Sequence, residues 1–310
     1  MNCPLCKGTK VKIISKLLTK SLVNLYKTQF SYDISYLISQ PVIYMDQCFD
    51  CQLKFFYPSI SGDEKFYQML QKTPGYYLRY KPEYKFASNY FDKTKNVLEI
   101  GAGIGAFSKL IKFKNYTALE LNPSALKIAK GKNINIFNQS IREHAKGRGK
   151  KYDVVCFFQV LEHIKPEELY EFLVLSISVL KQGGVLIFSV PNDSSHLKIK
   201  PNEVLNLPPH HLTRWPEYTL INLGKFFNIR LLSLKRDDLL ERQYQSYLLW
   251  RVNLYLGLYK GPIQEKCIFL NKVSSKLVQI LGKKIRKKII NIINPVGAHI
   301  TLVYKKEGMK

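Results

Sequence analysis

Three glycines at alternate positions, Gly101, Gly103 and Gly105, follow the apolar run Val97-Leu98-Glu99-Ile100 and lead into a helical pattern from Ile104 to Lys112. Glycines so spaced let the backbone turn sharply and come close to a bound molecule. The helix behind them directs its free N–H groups at that molecule. Nineteen residues after Gly101, the run Tyr116-Thr117-Ala118-Leu119 ends in Glu120, an acid placed to accept hydrogen bonds from two ribose hydroxyls. A strand, a glycine turn, a helix and a second strand with a terminal acid make a site for an adenosine-containing cofactor.

The alternation continues along the chain. Strands are expected at 97–100, 115–120, 133–138, 152–158, 185–190, 228–236 and 299–304. Helices are expected at 104–112, at 123–130 with Pro123 at its start, and from Pro166 to Leu180. Lys181-Gln182-Gly183-Gly184 reads as a helix stop and turn. This order predicts an α/β fold: a Rossmann-like, seven-stranded, mostly parallel sheet with helices on both faces. Ligands of such sheets bind at the carboxyl ends of the strands. The residues after Ile100, Leu119, Phe137, Cys156 and Val190 therefore line one rim, and Cys156 itself reads as core.

Gly101, Gly103 and Ala106 also satisfy a dinucleotide-binding pattern. Glu99 tilts the reading away from it. A carboxylate at the strand end would repel a pyrophosphate, whereas the amino group and sulfonium of S-adenosylmethionine are cationic. Leu98-Glu99-Ile100-Gly101-Ala102-Gly103-Ile104-Gly105, taken with Val160-Leu161-Glu162-His163-Ile164, resembles class I S-adenosylmethionine-dependent methyltransferases. The branch it most resembles includes ubiquinone-biosynthesis O-methyltransferases and sugar methyltransferases of surface-polysaccharide clusters. The resemblance covers about Asn89 to Asp237 and a last strand near His299 to Tyr304.

That resemblance implies cofactor contacts from Glu99, Gly101, Ala102, Gly103, Gly105, Glu120, Leu121, Ser140, Ile141, Phe158 and Gln159. Many relatives carry an acid that holds the adenine amino group where this chain has Ser140, with Gln139 beside it. In such enzymes the segment before the first strand often covers the cofactor or acceptor. Tyr76, Tyr77 and Tyr80 are lid candidates on that ground, with surface or core packing as the plainer alternative.

Acceptor chemistry points to histidine. Glu162-His163 follows the fourth strand at the rim, where His163 would act as a base, position the acceptor, or only brace its loop. In Asn206-Leu207-Pro208-Pro209-His210-His211-Leu212-Thr213-Arg214-Trp215, two prolines stiffen the approach to two histidines. The Pro-Pro-His-His stretch resembles the acceptor loop of the sugar and quinone branch. An imidazole there can deprotonate a hydroxyl or a carbon next to a ketone. His210, His211 and His163 are thus the catalytic candidates, while Arg214 and Trp215 read as structural. The implied reaction is direct displacement at the sulfonium methyl by a small-molecule or saccharide acceptor, in cell-surface glycan or secondary-metabolite synthesis. Two alternatives stand beside it: a nucleic-acid methyltransferase, and a non-catalytic zinc-dependent scaffold with a degenerate cofactor site.

Upstream, Cys3-Pro4-Leu5-Cys6 and Cys48-Phe49-Asp50-Cys51 are two C-x-x-C knuckles separated by 41 residues. Four thiolates complete a tetrahedral Zn²⁺ site, read here as a structural clip. Residues 9–45 supply Tyr26, Phe30, Tyr32, Tyr36, Val42 and Ile43 for a small satellite core. A strand is expected over 53–60, and Ser61 to Glu64 resembles a capping box. The organisation expected is a zinc-binding module at 1–60, a helical cap at 61–90, and a methyltransferase domain at 91–310 with a helical insertion at 238–296.

The net charge of +25 comes from 39 Lys and 9 Arg. Base and phosphate recognition leans on Arg forks, so a solvated basic surface is expected over a nucleic-acid face. No clamp for a flipped base follows strand four. Within the insertion, Leu270, Val273, Leu277, Leu281, Ile285, Ile289 and Ile292 form one stripe, opposite Lys272, Lys276, Lys283, Lys284, Arg286, Lys287 and Lys288. The basic helix 264–292 would pack on protein or lie on an anionic membrane. Met1-Asn2-Cys3-Pro4 opens a knuckle rather than a secretory leader, and no apolar run is long enough to span a bilayer. With reduced cysteines, that places the expected location in the cytoplasm or at the inner membrane face.

Overall fold

The computed structural model describes residues 1–73, 76, 81–92, 94–110, 115–131, 134–147, 152–195, 197, 203–255, 282–293 and 295–308. The chain opens with β1 (Val11–Leu18), α1 (Thr19–Phe30), β2 (Val42–Cys48) and β3 (Lys54–Tyr57). Helices α2 (Glu64–Lys72) and α3 (Pro82–Ala87) lead into the glycine-turn strand β4 (Asn96–Ile100) and α4 (Ala106–Leu110). Then come β5 (Asn115–Leu119), α5 (Pro123–Lys130), β6 (Ile136–Phe137), α6 (Ile141–Ala145), β7 (Tyr152–Phe158), α7 (Pro166–Ser178) and β8 (Leu180–Pro191). The chain closes with β9 (Thr213–Arg214), α8 (Glu217–Ile221), β10 (Ile229–Asp238), α9 (Tyr244–Tyr255), α10 (Lys283–Ile293) and β11 (Val296–Lys306).

The seven-stranded sheet has the order β10-β11-β8-β7-β4-β5-β6. Strands β4 to β8 run parallel, and β11 enters antiparallel between β8 and β10. The order reverses between β4 and β7, which is where a crevice opens at the strand ends. Side chains alternate across the sheet. Leu98 and Ile100 join Leu119, Val155, Phe157 and the α7 residues Leu169, Phe172 and Leu173 on one face. Val97 joins Val154, Cys156 and Phe158 with Tyr84 and Phe107 on the other. Both faces are covered, which is why these strands read as nearly continuous apolar runs.

The N-terminal segment builds a second sheet in the order β1-β2-β3-β9. Its last strand comes from far downstream: Lys54 pairs with Arg214 and Phe55 with Thr213. A satellite core is present: of the expected residues Tyr26 and Ile43 are buried in it, Phe30 and Tyr32 pack against it and Tyr36 is exposed, while Leu17, Leu22, Phe56, Phe66, Leu70, Val204 and Leu207 complete it. Cys3, Leu5, Cys48, Cys51, Leu53 and Phe55 belong instead to the main core. The module is therefore packed into the large domain rather than appended to it.

Local expectations needed three corrections. The cap of α2 is Asp63, whose carboxylate accepts from Phe66 N–H at 2.9 Å, and not Ser61. Asp63 wins because Phe66 and Leu70 must face the satellite core, which fixes where the first turn begins. Helix α7 ends at Ser178, and Lys181–Gly184 lies inside β8 at an irregularity between the Tyr152–Leu180 and Val154–Val185 pairs. The extra residues are taken up there with Gly183 at φ +71°. Strand β6 is two residues long.

In the insertion, α10 packs Ile289 and Ile290 on Leu239, Tyr247 and Leu248. Ile285 and Ile292 are exposed. The expected stripe thus shifts by one residue at its described end. Its earlier part, from 264 to 281, lies outside the described residues, as do Tyr77 and Tyr80. No helix among the described residues is long and apolar enough to cross a membrane.

Candidate functional site

A cleft of about 1700 Å³ lies over the carboxyl ends of β4, β5, β7 and β8. It is larger than the range typical for one ligand, about 300–1,000 Å³. Gly101, Ala102, Gly103, Glu120, Leu121, Ser140, Ile141, Phe158 and Gln159 all line it.

The glycine turn is shaped by β5. The N–H groups of Gly101 and Ala102 both donate to Leu119 O, at 2.8 and 3.0 Å. Gly101, Gly103 and Gly105 hold φ values of +70°, +55° and +70°, which L side chains rarely adopt. A Cβ on Gly101 would lie 2.5 Å from Val160 Cγ2. Glu120 clamps the turn: its Oε2 accepts from Gly103 N–H and its Oε1 from Asn122 N–H, each at 2.7 Å. A carboxylate oxygen has more than one lone pair, so both oxygens can still accept from a ribose diol. Burial nevertheless pushes the Glu120 pKa up.

Two expected contacts fall elsewhere. Glu99 is buried and does not reach the cleft. The period-2 alternation of β4 sends it to the opposite face from Ile100, where the Tyr116 hydroxyl donates to its Oε2. Burial pushes its carboxyl up to about 8, while the Tyr116 hydrogen bond and the Lys81 charge pull the other way. Gly105 faces Ile134, and a Cβ there would sit 2.2 Å from Ile134 Cδ1. Its role is packing of the turn. Ser140 does line the cleft, but its hydroxyl is also the N-cap of α6, in a capping box with Glu143.

The sequence reading missed Lys81 and Glu83, which also line the cleft. Glu83 is buried, with Gln159 Nε2 at 3.5 Å and Ser189 Oγ at 3.4 Å from its Oε1. A charged pair flanking Pro82 at a helix start carries no motif; only the folding of α3 over the β7 and β8 ends gives it meaning.

The structure brings the three histidine candidates together. Ring centroids are 4.6 Å apart for His163–His210, 4.9 Å for His163–His211 and 4.4 Å for the stacked His210–His211 pair. Each Nδ1 has an acceptor: His210 O at 2.6 Å for His163, Leu205 O at 2.7 Å for His210, and Asn206 Oδ1 at 3.1 Å for His211. Hydrogen bonding to these oxygens places the proton on Nδ1 and a lone pair on Nε2. Tyr76, the described member of the lid trio, has its hydroxyl 3.0 Å from His210 Nε2. Burial lowers all three pKa values, to about 4 for His163, so the imidazoles are neutral. Arg214 and Trp215 are structural, as expected. Arg214 donates to Asn206 O at 2.9 Å, and Trp215 Nε1 donates to Thr213 Oγ1 at 2.9 Å.

The four knuckle thiols also converge. Their sulfurs lie within 4.8 Å of one another, with Cys3–Cys51 at 3.5 Å and Cys6–Cys48 at 3.6 Å. Four thiolates about 2.3 Å from one tetrahedral Zn²⁺ stand about 3.8 Å apart, so the donor set fits that ion. A disulfide would need about 2.05 Å. The hydrogen bond with Cys51 holds the Cys3 thiol down, and the same bond pushes Cys51 up.

Comparison with known proteins adds to this geometry. The chain is similar to the ubiquinone biosynthesis O-methyltransferase of Erwinia tasmaniensis, 31% identical over 110 residues, which cover 33% of this chain and 44% of that protein. The protein of the same name from Cronobacter sakazakii is 30% identical over 107 residues, 32% of this chain and 43% of that one. The chain thus spans under half the length of these curated relatives. Among solved structures, a SAM-dependent methyltransferase from Archaeoglobus fulgidus aligns over 72% of this chain and 90% of its own, with 21% identity and a TM-score of 0.46. One from Clostridium acetobutylicum aligns over 79% and 98%, with 15% identity and a TM-score of 0.45. The family model described as a methyltransferase domain matches residues 75–235. A match that covers just over half of the chain, and takes in both the Glu120 cradle and the Glu162–His163 turn, makes this protein a member of the methyltransferase-domain family.

Proposed function

We propose that the protein transfers a methyl group from S-adenosylmethionine to a small-molecule acceptor, with a saccharide intermediate as the first class to screen. The observation that carries this reading is one cleft that holds the Gly101–Gly103 turn clamped by Glu120 at one end and three neutral histidines at the other. Similarity to ubiquinone O-methyltransferases supports a small acceptor.

S-adenosylmethionine, when bound, supplies an electrophilic methyl carbon on a sulfonium. Glu120 would accept from its ribose hydroxyls, and Gly101 and Gly103 would let the protein backbone come close to it. Phe158, Val160 and Ile141 line the cleft and exclude water, which favours alignment over hydrolysis. The acceptor lies toward His163, His210 and His211, where an imidazole Nε2 receives its hydroxyl proton. Cys3, Cys6, Cys48 and Cys51 would hold a structural Zn²⁺ that locks β2 and β3 in place. We assign residues 1–60 to that module, 61–90 to the cap and 91–310 to the catalytic domain. A cytoplasmic location completes the reading; sedimentation with anionic vesicles checks whether the basic α10 region, which packs Ile289 and Ile290 on protein, also meets an anionic membrane.

Calorimetric titration with S-adenosylmethionine, S-adenosylhomocysteine, NAD and NADP tests the cofactor. Binding of the first two alone is expected. Binding of NAD or NADP alone would move the chain to the oxidoreductases, and binding of none would favour a scaffold with a decayed site.

A further inference from the structure

The histidines raise a question that proton transfer does not answer. A base needs one imidazole, and here three are packed with their rings 4.4–4.9 Å apart. One ring nitrogen from each lies within 4.8 Å of those from the other two. Beside them, Glu162 is 1% exposed, and neither of its carboxylate oxygens has a hydrogen-bond partner among the described residues. Its Oε1 lies 3.9 Å from His211 Nε2. A buried carboxylate left without donors is costly unless a proton or a cation meets it.

The outer contacts follow the same logic. A histidine that ligates a metal almost always gives its other ring N–H to a carbonyl or carboxylate, which fixes the tautomer and the ring plane. All three do so here, to His210 O, Leu205 O and Asn206 Oδ1. Two of the histidines, His210 and His211, sit on one turn and share the Leu207 O acceptor for their backbone N–H groups, each at 3.1 Å. The turn thus fixes their backbone, and the Nδ1 bonds fix their rings, before any ligand arrives.

We propose that His163, His210 and His211 bind a divalent transition-metal ion through their Nε2 atoms, with Glu162 supplying the adjacent negative charge. Three imidazoles and a carboxylate suit borderline ions such as Zn²⁺. Three nitrogens about 2.1 Å from one tetrahedral ion stand about 3.4 Å apart, so the cluster contracts slightly on loading. Tyr76, whose hydroxyl now meets His210 Nε2, gives way or joins the ion. This is a second site, separate from the four thiols, and it opens on the cleft. Binding of an acceptor at that ion would rest on the methyl-transfer reading; the metal site itself does not.

The test loads the full-length protein with Co²⁺ and with Zn²⁺. Two ions per chain are expected: one with the strong thiolate charge-transfer band of a four-sulfur site, one with only weak bands. The double variant His163→Gln/His211→Gln should lose one equivalent and the weak bands while the thiolate band stays. Glu162→Gln, a near-isosteric change, should weaken the second ion about 10- to 100-fold. A single equivalent in the unaltered protein, or unaltered affinity in Glu162→Gln, overturns the proposal. If the double variant does not fold, the Glu162→Gln affinity decides the matter. S-adenosylmethionine titrations on the same samples report on the methyl-transfer reading separately, because the cradle residues are untouched.

Discussion

Lys54 Nζ donates to Asp193 Oδ2 at 2.6 Å, joining β3 of the N-terminal sheet to the loop that leaves β8. Both side chains are largely buried, and Arg214 approaches the other Asp193 oxygen at 3.9 Å. Removing one member of a buried pair costs about 3–5 kcal/mol, because the remaining charge is left in a dry place. Lys54→Ala should therefore destabilise the whole chain by about 3 kcal/mol in urea unfolding. A loss within 0.5 kcal/mol of zero would mean that Arg214 alone satisfies Asp193.

Glu120→Ala removes the acceptor for two backbone N–H groups and, in the proposed function, for the ribose. Hydrogen bonds to charged groups contribute about 1.5–3 kcal/mol, roughly ten- to a hundredfold in affinity. Calorimetry should show S-adenosylmethionine binding weakened by at least that factor. An affinity equal to that of the unaltered protein would remove Glu120 from the cradle.

Glu99 gives a pH prediction. Its carboxyl is raised to about 8 from an ordinary 4.5. Between those values the folded protein keeps a proton that the unfolded chain has released. Its contribution to stability is complete at the acid end and falls as pH rises, by about 1.4 kcal/mol per unit. Glu99→Gln abolishes that dependence. The stability difference between the two proteins, followed by denaturation from pH 5 to 8, should move steadily in favour of the variant. A constant difference would show that Glu99 is ionised in the fold.

Cys48→Ser should release Zn²⁺ and loosen β2 and β3, measured as metal content and as protease sensitivity within residues 1–60. Full metal retention would count against the four-thiolate site.

Much of this architecture was legible in the sequence because it is local. Gly101 to Gly105, Pro123 and Pro166 are punctuation that a reader meets in order, and α5 begins and ends at the expected residues. The misreadings have physical causes. Glu99 is adjacent to the turn in sequence, yet strand alternation sends it to the far face. Ser140 stands where relatives carry an adenine-binding acid, yet Glu143 three residues on makes it a helix cap as well. Lys81, Glu83 and the β3–β9 pairing depend on long-range folding, which no spacing of residues encodes. The histidine pair was visible as chemistry, but its meeting with His163 depends on a loop that crosses to the end of β7.

The pairing of β3 with β9 has a further consequence. Phe56 N–H donates to Leu212 O at 3.0 Å and Gly62 N–H to Pro209 O at 3.0 Å, so the His210–His211 turn is stitched on both sides to β3, which leaves the second cysteine knuckle, and to the segment that follows it. The N–H groups of Gly101, Ala102 and Gly103 run instead to Leu119 and Glu120 at the end of β5. Oxidation or chelation of the thiols would therefore reach the histidine turn directly through the backbone, and the glycine turn only through the packing of the shared core. The cysteine cluster is in that sense a fuse, wired by hydrogen bonds to the histidine half of the cleft.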